Sequence, residues 1–384
     1  MSKELIPPFR ADVVGSYLRP DYLHQARRQF ASGEIDQTAL TQVEDRAIRE
    51  LVAQQKAAGL KVITDGEFRR SWWHLDFMWG LGGVEKSALE QGYHFSGTHT
   101  RAESCRLTGR ICGDHHPFVE HFRFLATLAE PGLVPRLTIP APAQFLRELQ
   151  RPANLAHTQA IYPDQQALLD DIAAAYRTVI RDVYAAGCRN LQLDDCTWGM
   201  LTDPKVTANT TGCGCGSSHG DVPHSEQIRP LLETLLSVNN AALADAPADL
   251  VLTTHICRGN YRSTWAASGG YGPVADVVFA RSQVDAFYLE FDTERAGDFS
   301  PLAHLAKGKK VVLGLVSSKV PELESADAII ERIHEASRVV PLDQLYLSTQ
   351  CGFASTEEGN ALSEAQQWAK IALVTEVAKR VWGE

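Results

Sequence analysis

The chain has 384 residues, of which 44% are hydrophobic and 22% charged, and its net charge at pH 7 is −10. These values are typical of a folded globular protein, and the acidic balance argues against nucleic-acid and anionic-membrane partners, which require a clustered basic face. The first residues lack the pattern of a secretion signal, and no apolar run is long enough to cross a bilayer, so we expect a cytoplasmic protein. Eight cysteines are too few for a disulfide scaffold in a chain of this length, so we expect free thiols or metal ligands.

Short apolar runs alternate with helical patterns along almost the whole chain. The predicted strands are residues 11–16, 61–65, 134–139, 190–194, 250–255, 286–290, 310–316 and 345–349. Helical periodicity is clearest at 40–51, which ends at Gly59, and at 168–183, which ends at Gly187. Eight strand–helix units with nearly continuous apolar strands predict an α/β protein with a (β/α)8 TIM barrel, and a doubly wound open sheet is the alternative.

Two stretches depart from the strand–helix repeat. Residues 71–113, after the second strand, contain three tryptophans and many glycines, and the weakly alternating segments 94–101 and 104–111 predict a hairpin insertion. Residues 202–223, after the fourth strand, are rich in Gly, Thr and Ser and predict a long loop. Neither stretch has the pattern of an independent domain, so we expect one catalytic domain over residues 1–384.

Polar residues follow several of the predicted strands. Gly15 and Ser16 end the first strand, Glu67 follows the second, Asp194 ends the fourth, and Lys319 follows the seventh. A single Asp or Ser at a strand end is usually a helix cap or a turn former. So many polar strand ends together are harder to explain by capping, and in a TIM barrel the catalytic residues lie at this end of the strands.

A set of metal-ligand residue types ends the fifth, sixth and eighth strands. The set is His255, Cys257, Glu290 and Cys351. Imidazole, thiolate and carboxylate groups are the ligands that zinc accepts, and two sulfurs favour zinc over cations that prefer oxygen. Because the carboxyl ends of parallel strands meet at one end of a barrel, we predict one zinc site there.

These residues resemble the cobalamin-independent methionine synthases, specifically the catalytic C-terminal barrel and its short single-domain paralogues. The resemblance covers nearly the whole chain. The matching segments are residues 13–16 (Val-Val-Gly-Ser), 65–70 (Asp-Gly-Glu-Phe-Arg-Arg), 191–195 (Leu-Gln-Leu-Asp-Asp), 254–257 (Thr-His-Ile-Cys), 289–290 (Leu-Glu) and 350–352 (Gln-Cys-Gly). The ordered set of His-x-Cys, Glu and Cys is specific to the family.

The resemblance implies a zinc-dependent S-methyltransferase that methylates homocysteine to form methionine, with a methyltetrahydrofolate as the donor. It implies a catalytic zinc held by His255, Cys257, Glu290 and Cys351. It also implies that Gly15 and Ser16 bind the carboxylate of homocysteine, and that Glu67 and Asp194 hold its ammonium group. Coordination to zinc would remove the proton of the thiol and hold the sulfur as a nucleophile. We expect Glu290 to lengthen or yield its bond when the thiol binds.

Aromatic and ionisable residues complete the predicted site. Trp72 and Trp73 follow the second strand and Trp198 follows the fourth, where a flat pterin ring of the donor or substrate can stack, although core packing explains each equally well. The family carries a histidine after the seventh strand as proton donor, and here Lys319 is the nearest ionisable residue. We therefore predict Lys319 and Asp194 as the catalytic residues.

Several alternatives stay open from the sequence. The chain has no counterpart of the N-terminal half of full-length enzymes, so the donor can be a folate or a methyl-corrinoid, and the acceptor can be another thiol such as coenzyme M. A closed structural or sensor zinc site is the alternative from another class, and a barrel hydrolase that uses Asp194 and Asp195 is a third. The oligomeric state is open, with a homo-oligomer as one alternative.

A second group of metal-ligand residue types lies in the glycine-rich stretch after the fourth strand. It comprises Cys213, Cys215, His219 and His224. This spacing can bind a second zinc. A flexible loop at the active site explains the same composition, so the two interpretations stay open.

Overall fold

The computed structural model describes residues 6–206 and 223–383, and parallel strands form its centre. The strands are β1 Val62–Ile63, β2 Gly82–Ala88, β3 His94–Phe95, β4 Thr98–His99, β5 Glu103–Cys112, β6 Val134–Pro135, β7 Leu137–Pro140, β8 Asn190–Asp194, β9 Val251–Ile256, β10 Ala286–Glu290, β11 Lys310–Val316 and β12 Leu345–Thr349. Strands β7 to β12 form one sheet in chain order, and each neighbouring pair is parallel. Their buried apolar residues explain why the sequence predicted them.

The remaining segments close this sheet into a barrel. Strand β1 pairs in parallel with β6, and only Arg136 separates β6 from β7, so β6 and β7 are two halves of one barrel strand. Parallel bridges from Ala11 to Leu347 and from Ser16 to Gly66 place residues 11–16 between β12 and β1. The (β/α)8 barrel is therefore confirmed, and the closure excludes the open sheet. The first predicted strand lies where expected, although it forms isolated bridges instead of a regular strand.

A buried polar network inside the barrel is centred on Arg136, the residue between β6 and β7. The guanidinium donates to the carbonyl of Val13 at 2.6 Å and to the Tyr288 hydroxyl at 2.5 Å, and it is paired with Asp12 at 2.9 Å. All of these side chains are buried. Because a buried guanidinium needs several acceptors, Arg136 crosses the barrel interior and ties three strand positions together.

Helices cover the outside of the barrel. They are α1 Asp21–Ala31, α2 Gln37–Ala57, α3 Leu75–Trp79, α4 Phe118–Ala126, α5 Pro142–Leu149, α6 Pro152–Ile161, α7 Gln165–Ala185, α8 Cys196–Leu201, α9 His224–Leu243, α10 Gly272–Arg281, α11 Ala326–Ala336 and α12 Glu364–Trp382. The predicted helices at 40–51 and 168–183 lie within α2 and α7, each of which buries one apolar stripe. No helix in the described ranges is long and apolar enough to cross a membrane.

The insertion after the second strand differs in pairing from the prediction. Strand β5 pairs with β2 in antiparallel orientation, whereas β3 and β4 form a small hairpin of their own around Gly97, whose φ is 80°. The predicted pairing of 94–101 with 104–111 is therefore wrong. Strand β2 begins with Gly82 and Gly83, and its pairing with β5 has a register shift there. Because of this irregular start, β2 lacks the alternation of apolar and polar residues by which strands are predicted. The predicted loop at 202–223 lies mostly outside the described residues.

Candidate active site

One large cavity lies at the carboxyl ends of the barrel strands. Its volume is about 720 Å³, which is enough for a drug-sized ligand. Its barrel side includes Glu67, Asp194 and the cluster of His255, Cys257 and Cys351. The opposite side comes from the insertion and from helices α5 and α6. The polar residues that were predicted at the strand ends thus lie across one cavity from aromatic and basic side chains.

The histidine and the two cysteines of the predicted zinc set lie together. One ligand atom from each of His255, Cys257 and Cys351 lies within 4.8 Å of the other two, and all three residues are buried. The Nδ1 atom of His255 is 3.1 Å from the carbonyl oxygen of Tyr288, while Nε2 has no hydrogen-bond partner. A metal-binding histidine commonly donates one ring N–H to a backbone carbonyl and offers the other nitrogen to the metal. The arrangement therefore fits a zinc ion.

Glu290, the fourth residue of the predicted set, lies outside this group. Its Oε2 accepts the backbone N–H of Arg258 at 3.0 Å, and its Oε1 is paired with Arg295. Burial alone would raise the pKa of Glu290, but the charges of Lys319, Arg258 and Arg295 outweigh burial and lower this pKa to about 2. The carboxylate is thus ionised and already bonded through both oxygens, and its role as a zinc ligand stays a prediction.

A third cysteine, which the sequence did not single out as a ligand, touches the cluster. The Sγ atom of Cys196 is 3.2 Å from that of Cys257, and Cys196 is half-buried in the wall of the cavity. Cys196 directly follows Asp194 and Asp195 at the end of β8. Only its position at a strand end could have indicated from the sequence that Cys196 lies near the cluster. No rule of sequence spacing relates Cys196 to the distant His255 and Cys351.

Glu67 and Asp194 form a buried acidic pair in the same cavity. The Oε1 atom of Glu67 accepts from the Thr138 hydroxyl at 2.9 Å, whereas Oε2 has no partner. Asp194 accepts from Gln192 at 2.8 Å. Burial raises the pKa of both carboxyl groups to about 7, and the charge of Asp194 adds to the rise for Glu67. Unpartnered buried acceptors of this kind are suited to a cationic ligand.

The first barrel segment approaches this pair closely. Gly15 has a φ of 152°, and a Cβ atom there would lie only 2.8 Å from the Thr138 side chain, so glycine is required. Ser16 borders the cavity. A Cβ atom built at Gly352 would lie only 1.9 Å from the hydroxyl oxygen of Ser16. Glu67 itself has a φ of 61°, which is uncommon for a non-glycine residue and typical of functional sites.

Lys319 lies behind the cavity wall instead of in it. Its Nζ donates to Oδ1 of Asn260 at 3.2 Å, and the amide of Asn260 donates to the carbonyl of Gly352 at 2.8 Å and to Ser355 at 3.1 Å. Asn260 borders the cavity. Lys319 is therefore placed to hold Asn260 in position, and its predicted catalytic role stays untested.

The three predicted tryptophans have different surroundings. Trp72 and Trp73 both border the cavity. Trp72 is fully buried, and its ring N–H donates to Glu103 at 2.8 Å, whereas Trp73 is only partly buried and packs against His74. Trp198 belongs to the hydrophobic core beneath the cavity instead of its wall. Its predicted contact with substrate thus gains no support from its position.

Some cavity residues could not be found from the sequence. The hydroxyl of Tyr93 is 3.2 Å from Nε2 of His74, and the guanidinium of Arg151 lies 4.2 Å from the Tyr93 ring centre. Burial lowers the pKa of His74 to about 3, so its ring is neutral. Arg147 borders the cavity beside these residues. They come from the insertion, from helix α5 and from the residue that precedes helix α6, and only the tertiary fold brings them together.

The second predicted zinc site falls mostly outside the described part of the chain. Cys213, Cys215 and His219 are among the residues that the structure does not describe. Nε2 of His224, at the start of α9, is 2.8 Å from the carbonyl oxygen of Leu201. The second site therefore stays a prediction.

The fold and the site together define a (β/α)8 barrel with a buried histidine–cysteine cluster facing a substrate-sized cavity. The model of the cobalamin-independent synthase catalytic domain matches residues 160–374. The uncharacterised protein YxjH of Bacillus subtilis (strain 168) is 44% identical over 382 residues, which are 99% of this chain and 96% of that protein. The chain therefore belongs to the cobalamin-independent methionine synthase family.

Two further comparisons agree with this assignment. A Listeria monocytogenes protein, provisionally assigned as a vitamin-B12 independent methionine synthase, has 40% sequence identity and a TM-score of 0.74, with 99% of this chain and 100% of that chain covered. The 5-methyltetrahydropteroyltriglutamate–homocysteine methyltransferase of Mycolicibacterium paratuberculosis (strain ATCC BAA-968 / K-10) is 22% identical over 360 residues. The match covers 90% of this chain and 40% of that enzyme's length.

Proposed function

We propose that the protein is a zinc-dependent methyltransferase that methylates the thiol of homocysteine to form methionine. The observation that carries the proposal is one cavity that holds both an unpartnered His255 nitrogen beside two thiols and an unpartnered Glu67 oxygen beside Asp194. The first group suits a metal that binds sulfur. The second suits an ammonium group.

His255, Cys257 and Cys351 would hold the zinc, and Glu290 is the further ligand that the resemblance implies. Bound zinc supplies a lowered thiol pKa, so that the acceptor sulfur is a nucleophile at neutral pH. The protein contributes orientation, because an in-line methyl transfer requires the sulfur and the methyl carbon to be aligned. A closed structural or sensor site does not account for an acidic pair beside the metal ligands.

The acidic pair favours homocysteine over a thiol that lacks an ammonium group. Glu67 and Asp194 would each accept from the ammonium, which would restore the hydrogen bond that Glu67 Oε2 lacks. Ser16 lies beside them and, with Gly15, is the proposed contact for the substrate carboxylate. A coenzyme M-like thiol carries an anion and no cation, so two carboxylates would repel it.

The opposite side of the cavity suits a methyltetrahydrofolate donor. Trp73, Tyr93 and Phe95 offer aromatic faces for a flat pterin ring, and Arg147 and Arg151 can pair with an anionic tail. Similarity to a methyltransferase that is named for a methyltetrahydropteroyl donor supports this choice. A methyl-corrinoid remains the alternative donor. Of the two predicted catalytic residues, Asp194 faces the cavity, whereas Lys319 would act through Asn260 as a positioning residue.

A screen of donors and acceptors on zinc-loaded protein tests the proposal. Homocysteine with a methyltetrahydrofolate should yield methionine, and coenzyme M should yield far less methylated product. Chelation of the metal should abolish the reaction, and added zinc should restore it. Methylation of coenzyme M in preference to homocysteine, or methionine formation only from a methyl-corrinoid, would contradict the corresponding part of the proposal.

A further inference from the structure

We propose that Arg147 binds a carboxylate of the methyl donor and that a folate tail with a single glutamate satisfies it. This inference rests on the proposed function, because it names the donor group that this part of the cavity recognises. Arg147 and Arg151 are the two arginines that border the cavity, and they lie on the side formed by the insertion and by helices α5 and α6. An anion bound there is separate from the amino-acid subsite at Glu67 and Asp194.

The guanidinium of Arg147 has no protein partner in the described part of the chain. Within residues 6–206 and 223–383, its side chain makes neither a hydrogen bond nor an ion pair. The side chain is half-buried in the cavity wall, and its nitrogen atoms are accessible to a ligand. A guanidinium stays charged and carries five N–H donors in a planar fork that matches a carboxylate. Arg147 is therefore suited to an anionic ligand group.

Arg151, by contrast, is held by neighbours within the protein. Its Nη1 atom lies 3.8 Å from Oε2 of Glu148, and its guanidinium lies 4.2 Å from the Tyr93 ring centre. The Glu148 carboxylate is itself fixed, because it accepts from the Ser104 hydroxyl. Burial and the charge of Arg151 both lower the pKa of Arg147, so the two cations repel each other. A carboxylate at Arg147 would offset this repulsion, whereas a neutral group would not.

An apolar surface adjoins the two arginines. Leu155 lies one helical turn after Arg151, and its backbone N–H donates to the carbonyl of Arg151 at 2.9 Å. The Leu155 side chain borders the cavity and is 36% exposed, which makes it one of the exposed large apolar side chains of the protein. Pro152 and Met200 border the same cavity. The aminobenzoyl ring that joins pterin to glutamate in a folate would cover this surface.

The number of unpaired cations limits the useful length of the tail. Each further glutamate adds one carboxylate, and Arg151, the other arginine of the cavity wall, is already paired with Glu148. The net charge of the chain is −10, so its overall field does not attract additional anions. A triglutamate tail should therefore bind no more tightly than a monoglutamate tail.

Calorimetric titration of the zinc-loaded protein with 5-methyltetrahydrofolate tests the inference. Arg147→Gln should weaken binding of the monoglutamate by about tenfold or more, because it removes the charged half of a guanidinium–carboxylate pair. Homocysteine affinity and zinc content should not change. Arg28→Gln is the matched control, since Arg28 also lies in the last turn of a helix but is exposed and outside the cavity wall. The triglutamate should bind wild type with the same affinity as the monoglutamate.

A comparison of ligands does not depend on how well a variant folds. The diamide of the monoglutamate lacks both tail carboxylates, so it should bind wild type about tenfold more weakly than the monoglutamate, and this difference should disappear in Arg147→Gln. Equal binding of the two ligands to wild type, or tighter binding of the triglutamate, would overturn the inference and leave the methyltransferase intact. Folate binding without methionine formation would instead overturn the proposed function. A wild type that binds no folate would overturn both the inference and the choice of donor.

Discussion

Single polar atoms without partners mark the site at the scale of residues. Glu67 Oε2 and His255 Nε2 are buried and have no hydrogen-bond partner, although such atoms are normally paired in a folded protein. Both residues face the same cavity. Each atom is chemically suited to a different ligand, a cation for the carboxylate and a metal for the imidazole. The cost of leaving them unpaired is consistent with a binding role.

The acidic pair should control amino-acid binding without affecting the metal. Glu67→Gln and Asp194→Asn should each weaken homocysteine binding by about tenfold or more, because loss of one partner of a buried charged pair costs about 2–5 kcal/mol. Calorimetric titration measures the affinity, and zinc content should not change. An alkyl thiol without an amino group is the control ligand and should lose much less. Unchanged homocysteine affinity in both variants would rule out the ammonium contact.

The same pair should make stability depend on pH. The folded-state pKa of Glu67 is about 7, above its ordinary value, so its contribution to stability is present at low pH and is lost as the pH rises through about 7. Glu67→Gln cannot ionise, so relative to wild type it should gain about 2 kcal/mol in unfolding free energy between about pH 5 and pH 8. Denaturant unfolding of the ligand-free protein measures this gain. Glu120→Gln, at an exposed position, is the control, and an equal pH response of both variants would contradict the raised pKa.

At the scale of elements, short connections at the strand ends decide the geometry of the cavity. Helix α8 begins immediately after β8 and packs against the Cys257 backbone, while the insertion that contains β2 and β5 supplies the aromatic side. Parallel strands bring the ends of β8, β9 and β12 together, and these ends carry Asp194 and the histidine–cysteine cluster. The strands thus position the acidic residues and the histidine–cysteine cluster, and the insertion forms much of the cavity wall that faces them.

Gly199→Ala should displace helix α8 from the histidine–cysteine cluster. The added methyl group would lie 1.9 Å from the Cys257 carbonyl oxygen, so either the helix or the segment that carries Cys257 must move. We expect a loss of about 1–3 kcal/mol in unfolding free energy together with weaker zinc retention. Gly272→Ala is the matched control, since a Cβ atom at this helix start meets nothing within 4 Å. Equal zinc retention and stability in the two variants would show that the close packing at Gly199 contributes neither to zinc binding nor to stability.

At the scale of the whole molecule, the barrel was predictable because buried parallel strands are continuous apolar runs. The strand that begins with Gly82 and Gly83 was missed, because glycines disrupt the alternation. Side-chain contacts between segments that are distant along the chain could also not be predicted from the sequence. Three contacts depend on how strands and loops meet in space. They are the ion pair of Glu290 with Arg295, the hydrogen bond of Lys319 to Asn260, and the contact of Cys196 with Cys257.

The central claim is that zinc at His255, Cys257 and Cys351 binds the acceptor thiol directly. Zinc-edge X-ray absorption with selenohomocysteine tests it, because selenium is distinguishable from the sulfurs of the protein. We predict about one selenium bound to zinc in wild type at saturation, and near-complete loss of zinc in Cys351→Ser. A wild-type zinc site with no selenium neighbour at saturating ligand would contradict the account.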